Sequence, residues 1–249
     1  ASVIDSEVPS TFGEAARQAQ AIVARTYAVS QMTGHFQFDV FATSRSQKYL
    51  GYQYLNVDDR RLAGESNSSH NIAAETAGVV CTYNGKAFTA YYSAVCGGRT
   101  INGSTVFTDA VPALKSVECN WCREADRYRW TSTVPVGEAS SLIRDHLKTS
   151  GKTFGTVRSI RLAKGPDGDL PYYEISDENA THRIAGTVLR RVLPYGVLNS
   201  PDFEASQDAT TIRIAGRGHG HGVGFCQWGA DGQAKAGRSA LEIIRFYYP

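Results

Sequence analysis

The chain has a single methionine, no long apolar run and no real excess of either charge. That methionine is Met32, and the sequence starts Ala1-Ser2-Val3 with no basic-then-apolar segment. Any export signal is therefore expected to have gone before residue 1. No stretch approaches the roughly 20 apolar residues needed to cross a bilayer, which excludes a membrane span in this chain. Lys and Arg number 26 against 24 Asp and Glu, a net charge of +2. That balance lacks the basic surplus with which a duplex-binding protein displaces counterions, so nucleic acid is excluded as a partner. Internal repeats and low-complexity linkers are also missing. With 249 residues, 42% of them hydrophobic, the chain can bury a core unaided, which removes the disordered and mini-scaffold classes. A neutral or mildly anionic polymer remains admissible as substrate.

The clearest helix signal covers residues 11–31. Thr11 and Glu14 have capping-box spacing, and Phe12, Ala15, Ala16, Ala19, Ile22, Val23 and Thr26 fall on one arc at about 100° per residue. Arg25 lies just outside that arc, placed to reach along the surface. From Val79 the texture turns to strand, and Asn84-Gly85 between two β-rich runs predicts a hairpin, because both residues tolerate positive φ. A Gly- and Cys-containing loop region follows to about Trp130. Helices are expected near 138–149, 184–193 and 240–247, and strands near 157–163, 172–176 and 211–215. Helices and strands mix without βαβ alternation, which predicts an α+β fold of helices and antiparallel strands. It forms one large domain over 1–249, or two lobes around a long cleft with a boundary near residue 135.

Five cysteines are present. Cys119-Asn120-Trp121-Cys122 has the two-residue gap that lets two sulfurs face one ion, while Cys81, inside a strand, reads as a small buried hydrophobe. The glycine-rich run from Gly216 to Gly224 lacks the Gly-Lys-Ser/Thr ending of a phosphate loop. Its glycines are read as permitting a tight backbone turn.

Three separated segments carry a family resemblance. The first is Ser6-Glu7-Val8-Pro9 with Ala19-Gln20-Ala21-Ile22-Val23-Ala24-Arg25-Thr26-Tyr27. The second is Tyr92 to Thr100, with Tyr128-Arg129-Trp130 downstream. The third is Gly216 to Ala230, with Tyr247-Tyr248-Pro249 closing the chain. Together they resemble the SpoIID/LytB family of bacterial cell-wall proteins, whose sporulation members are lytic transglycosylases and which also contains amidase enhancers. In two places the chain departs from the pattern. Only six residues precede Glu7, where the family has a longer stretch, and His219 and Cys226 stand where many relatives carry an aromatic residue and Ser.

The resemblance implies an exported envelope protein that cuts peptidoglycan glycan strands between N-acetylmuramic acid and N-acetylglucosamine. Glu7 is the expected acid and base: one carboxyl gives its proton to the leaving sugar, then takes one from the substrate's own 6-hydroxyl, closing a 1,6-anhydro ring without water. Glu7 is expected on an extended or turn segment before Pro9. Arg25 matches the family's arginine and is expected to bind substrate oxygens or hold the acid. Tyr128 and Arg129, in a loop with Trp130, and His221 are candidate sugar contacts. Cys96 and Cys226 stand inside family motifs that would join Cys119 and Cys122 in a closed four-thiolate zinc site. Disulfides are the alternative in an oxidising envelope. Two further readings stay open: a non-catalytic glycan binder that stimulates a cell-wall amidase, and a zinc hydrolase of the peptide or amide part with His219 and His221 as ligands.

Overall fold

Helix α2 runs from Glu14 to Gln31 and is buried on nearly every side, not on one arc, with Arg17, Gln20, Ala21 and Ala24 as covered as Ala19 and Val23. The short helix α1 (Ser2–Glu7) packs beside it. A computed structural model describes residues 1–32, 34, 37–43, 45–163 and 171–249, and among them α2 is the hub. The expected Thr11/Glu14 capping box does not form. Gly13 is the N-cap and uses no side chain; its N–H donates instead to Asp231 Oδ1 at 2.8 Å. A Cβ on Gly13 would lie 2.9 Å from that of Ala234, so a close tertiary approach replaces the local box. Glu7 also departs from expectation. It ends α1, and the extended residue ahead of Pro9 is Val8 (φ −131°, ψ 142°).

Strands β1 (Gln53–Leu55) and β2 (Arg61–Ala63) form a small hairpin, and helix α3 (Asn67–Glu75) follows. Strands β3 (Thr82–Tyr83) and β4 (Lys86–Ala87) flank the predicted turn, with Asn84 at φ 49° and Gly85 at φ 76°. Their pairing is shorter than the β-rich runs suggested, because Val79 to Cys81 lie outside it. Strand β5 (Tyr92–Ser93) returns to pair in parallel with a strand late in the chain.

Strand β6 (Arg129–Pro135) corrects the loop expected around Arg129 and Trp130. It leads directly into α4 (Val136–Lys148), then β7 (Ser159–Ala163), β8 (Tyr172–Ser176), β9 (Thr181–Ala185), α5 (Gly186–Val192), β10 (Phe203–Gln207) and β11 (Thr211–Arg217). The sheets are β7-β8-β9 and β10-β11-β6, both antiparallel. The helix expected from 184 starts two residues later, since Ile184 and Ala185 complete β9 against β8. Strand β12 (Phe225–Cys226) is β5's parallel partner. Helices α6 (Gln227–Lys235) and α7 (Ala240–Tyr247) close the fold, the latter with a Ser239/Glu242 capping box.

Two main cores result. One gathers Val23 from α2, Phe88, Leu114, Phe225 and, from α7, Ile243 and Tyr247. The other is drawn wholly from Trp130 to Ile214, with Ile143, Tyr173, Ile175 and Ile212 fully covered. Burial of each such side chain is worth about 1.5–3 kcal/mol. A third, small cluster of Ile4, Val8, Phe12, Ala21 and Ile72 fastens α1 to α2 and α3. The architecture is α+β, as the mixed pattern predicted.

Candidate functional site

Helix α1 owes its position to a carboxylate. Asp5 accepts from Ser66 N–H at 2.7 Å and Ser69 Oγ at 2.6 Å, at the N-terminus of α3, and lies 3.4 Å from Arg17. Burial pushes the Asp5 carboxyl up, but the bonds from Ser69 and Ser66, with Arg17, outweigh it and hold it below its usual range. Two residues on, Glu7 Oε1 accepts the Lys48 backbone N–H at 2.7 Å, and Oε2 faces Gln227 Nε2 at 3.4 Å. Gln227 also reaches buried Gln20, at 3.4 Å. Tyr92 donates to Gln47 Oε1 at 3.0 Å. Burial, and then the neighbouring Glu7 carboxylate, push the Tyr92 phenol well above its usual range, so it keeps its proton and stays a donor.

Beside Tyr92 opens a cavity of about 160 Å³, lined also by Tyr27, Arg45, Tyr91, Phe107 and His221. Tyr91 stacks on Phe107 with centroids 3.7 Å apart and planes 4° from parallel, and His221 meets both rings edge-on. The Tyr91 hydroxyl donates to Asp109 at 2.7 Å. His221 Nδ1 accepts from Val223 N–H at 3.1 Å, and its ring also bonds the Tyr92 backbone. A proton on Nε2 satisfies both contacts. Burial lowers the His221 pKa to about 4, so the ring is neutral at pH 7. Larger hollows, of about 530 and 500 Å³, lie over the β10-β11-β6 sheet. The candidate chemistry sits beside the smaller cavity, because its aromatic wall includes Tyr92, whose phenol neighbours the Glu7 carboxylate.

The other expected contacts lie elsewhere. Arg25 spends its guanidinium on the end of α3, donating to the Thr76 and Ala73 carbonyls, to Thr76 Oγ1 and to the Val79 carbonyl. Tyr128 is half-buried against the first core, its hydroxyl 3.1 Å from where a Gly98 Cβ would stand. Arg129 opens β6, across from Arg217, and Trp130 is buried in the second core. Among the described residues, none of these side chains hydrogen-bonds to Glu7. Lys48, Gln47, Tyr92 and Gln227 lie outside the set of expected site residues; Tyr92 and Gln227 stand inside the quoted motifs, and that is the sequence signal for them.

The cysteine set converges. The Sγ atoms of Cys96, Cys119, Cys122 and Cys226 all lie within 4.8 Å of one another, and Cys96 and Cys122 are 3.6 Å apart. Tetrahedral zinc with about 2.3 Å bonds to sulfur fits sulfurs about 3.8 Å apart, so the donor set suits such an ion. None of the five cysteines is joined in a disulfide in this structure. Cys226 Sγ accepts from the Cys96 N–H at 3.3 Å and, in the first turn of α6, from the Gly229 N–H at 3.4 Å. A Cβ on Gly229 would crowd Tyr247 and come within 2.8 Å of Cys119 Sγ. Among the described residues, neither His219 nor His221 joins a metal-capable group.

The chain is similar to known proteins along nearly its whole length. The chain is 30% identical to stage II sporulation protein D of Bacillus amyloliquefaciens, over 99% of this chain and 70% of that one. The family model described as stage II sporulation protein matches residues 1–83. The chain belongs to the SpoIID family. It is also 29% identical to stage II sporulation protein D of Bacillus subtilis, with the same coverage. A 28% match is an amidase enhancer of Bacillus subtilis, of which this SpoIID-family chain spans 39%. Residues 112–224 match a domain of unknown function, a stretch that contains the whole second core. No helix among the described residues is long and apolar enough to cross a membrane.

Proposed function

We propose that this SpoIID-family protein is a lytic transglycosylase of the bacterial envelope, acting outside the cytoplasm on peptidoglycan glycan strands. It breaks the bond from N-acetylmuramic acid to N-acetylglucosamine and leaves a 1,6-anhydro end. The observation that carries the reading is the setting of Glu7: a half-buried carboxylate aligned by Lys48 N–H and Gln227, beside the Tyr92 hydroxyl and an aromatic cavity. Protonated Glu7 gives its proton to the leaving oxygen. The carboxylate so formed takes the proton of the 6-hydroxyl as that oxygen attacks the anomeric carbon. Donors that align the carboxylate favour this second half. Tyr92 donates to oxygens near the reacting centre, His221 stays neutral in the cavity wall, and Tyr128 and Arg129 bind more distant sugars. Arg25 acts at one remove, by bracing α3 against α1.

Cys96, Cys119, Cys122 and Cys226 would hold a zinc ion. In a closed four-thiolate shell it would supply no reactivity and would fasten three distant segments together. The match to an amidase enhancer favours a second reading, a glycan binder that stimulates a cell-wall amidase without cutting. Mass spectrometry of glycan strands incubated with the protein separates the two. Anhydro-terminated fragments from the native chain and none from Glu7→Gln support cleavage. Retained strand binding with no new product supports the binder, and products with only free reducing ends indicate ordinary hydrolysis.

A further inference from the structure

Two arginines far apart in the sequence meet on one buried asparagine. Arg127 Nη1 donates to Asn199 Oδ1 at 2.8 Å, and Arg190 Nε, from α5, donates to the Asn199 carbonyl at 3.1 Å. That carbonyl also accepts Gly220 N–H at 2.9 Å, which brings the adjoining His219 to the same spot. Asn199 is only 8% exposed, so the junction is built and fixed. Its charge is uncompensated. Neither guanidinium forms an ion pair among the described residues, and Asp202, the acid on the same loop, is taken by Arg217 at 3.2 Å. Arg127 is exposed, but covering the Arg190 guanidinium against neutral partners alone is costly. Arg190 is covered enough that desolvation lowers its pKa, and burial with Arg127 and Arg190 keeps His219 neutral. The donors left over, both Nη groups of Arg190 and Nη2 of Arg127, suit the fork geometry of a carboxylate.

We propose that Arg127, Arg190 and His219 form a carboxylate-binding site. His219 shares its loop with His221, which lines the cavity beside Tyr92. Resting on the glycan-strand reading, the carboxylate is one borne by the strand. It comes either from the lactyl ether of the muramic acid or from an attached peptide. The site would then set the register of the strand relative to Glu7, since a charged anchor fixes position where sugar rings alone can slide.

The test uses the full chain carrying Glu7→Gln, so that strands bind without turnover. Affinity is measured for three probes: peptide-free glycan strands, the same strands with carboxyl groups amidated by methylamine, and strands bearing peptides. Arg127→Gln and Arg190→Gln are each expected to weaken binding of peptide-free strands by about tenfold and to leave binding of amidated strands unchanged. Arginine dependence confined to peptide-bearing strands assigns the carboxylate to the peptide. Equal effects of the arginine variants on amidated and unamidated strands overturn the site while leaving the glycan reading intact. Failure of every strand to bind overturns both. Exposed Arg127 decides the matter alone if Arg190→Gln does not fold.

Discussion

The Arg25 guanidinium donates to the Thr76 carbonyl at 2.7 Å, at the C-terminal end of α3. The opposite end of the same helix is held by Asp5, two residues before Glu7. One arginine on α2 and one aspartate on α1 thus clamp α3 by its unsatisfied carbonyl and amide groups. An arginine in a family motif need not touch substrate to matter for the proposed acid; here it holds the helix against which the helix ending in Glu7 is set.

Arg25→Ala is expected to cost about 2–3 kcal/mol of stability in urea unfolding, because it strips donors from partly buried carbonyls. Arg25→Lys keeps the charge at the helix end but not the fork, and should recover part of that loss. Product formation should fall in step with stability. Full stability with abolished cleavage would instead give Arg25 a direct part in the chemistry.

The zinc reading predicts about one zinc per chain on elemental analysis. Cys122→Ser should lose the ion and lower Tm by about 10 °C. Strong chelators should raise amide exchange around Cys96, Cys119 and Cys226 first, since those segments share the cluster, while the second core, which contributes no ligand, keeps its protection. Metal-free protein with an unchanged Tm would refute it.

Legibility in the sequence followed the range of the forces involved. Helix α7 appears with the bounds its pattern predicted, because its cap and apolar stripe are local. The Asn84-Gly85 turn is local too. Grouping Cys119 and Cys122 with Cys96 and Cys226 needed only a short gap and two motifs. What escaped was set by tertiary contact. Helix α2 has Gly13 as its N-cap because Asp231, 218 residues away, takes the Gly13 amide. Helix α6 follows directly from the glycine-rich run and is itself glycine-containing, so its helical period was masked; Cys226 caps it with sulfur. The glutamines around Glu7 carry no charge or periodicity that would single them out.

His221 gives the protein a pH dependence whose sign follows from its buried ring. Its folded pKa of about 4 lies below the ordinary 6.5, so between those values the unfolded chain binds more protons than the folded one. Stability therefore falls as pH drops from 6.5 to about 4, by up to about 3 kcal/mol, and this contribution is constant below that. Protonation would also put a hydrogen on Nδ1, where Val223 N–H now donates. His221→Gln should remove this part of the slope in unfolding curves collected from pH 7 to pH 4. An unchanged slope would mean that the ring is protonated at its ordinary pH in the folded chain.

Tyr92→Phe isolates the role of one hydroxyl. The ring stays in the cavity wall and β5 keeps its pairing with β12, but the donor shared between Gln47 and the Glu7 region is lost. Gln47 Oε1 then loses that donor, a loss of about 1 kcal/mol. If the phenol donates to charge that develops in the transition state, kcat should drop by about tenfold to a hundredfold with little change in KM. A rise in KM at constant kcat would assign Tyr92 to ground-state sugar binding. The two outcomes differ because Tyr92 is fully protonated and pre-aimed: its bond to substrate strengthens during reaction only where oxygen gains charge, and near Glu7 that oxygen is the leaving one.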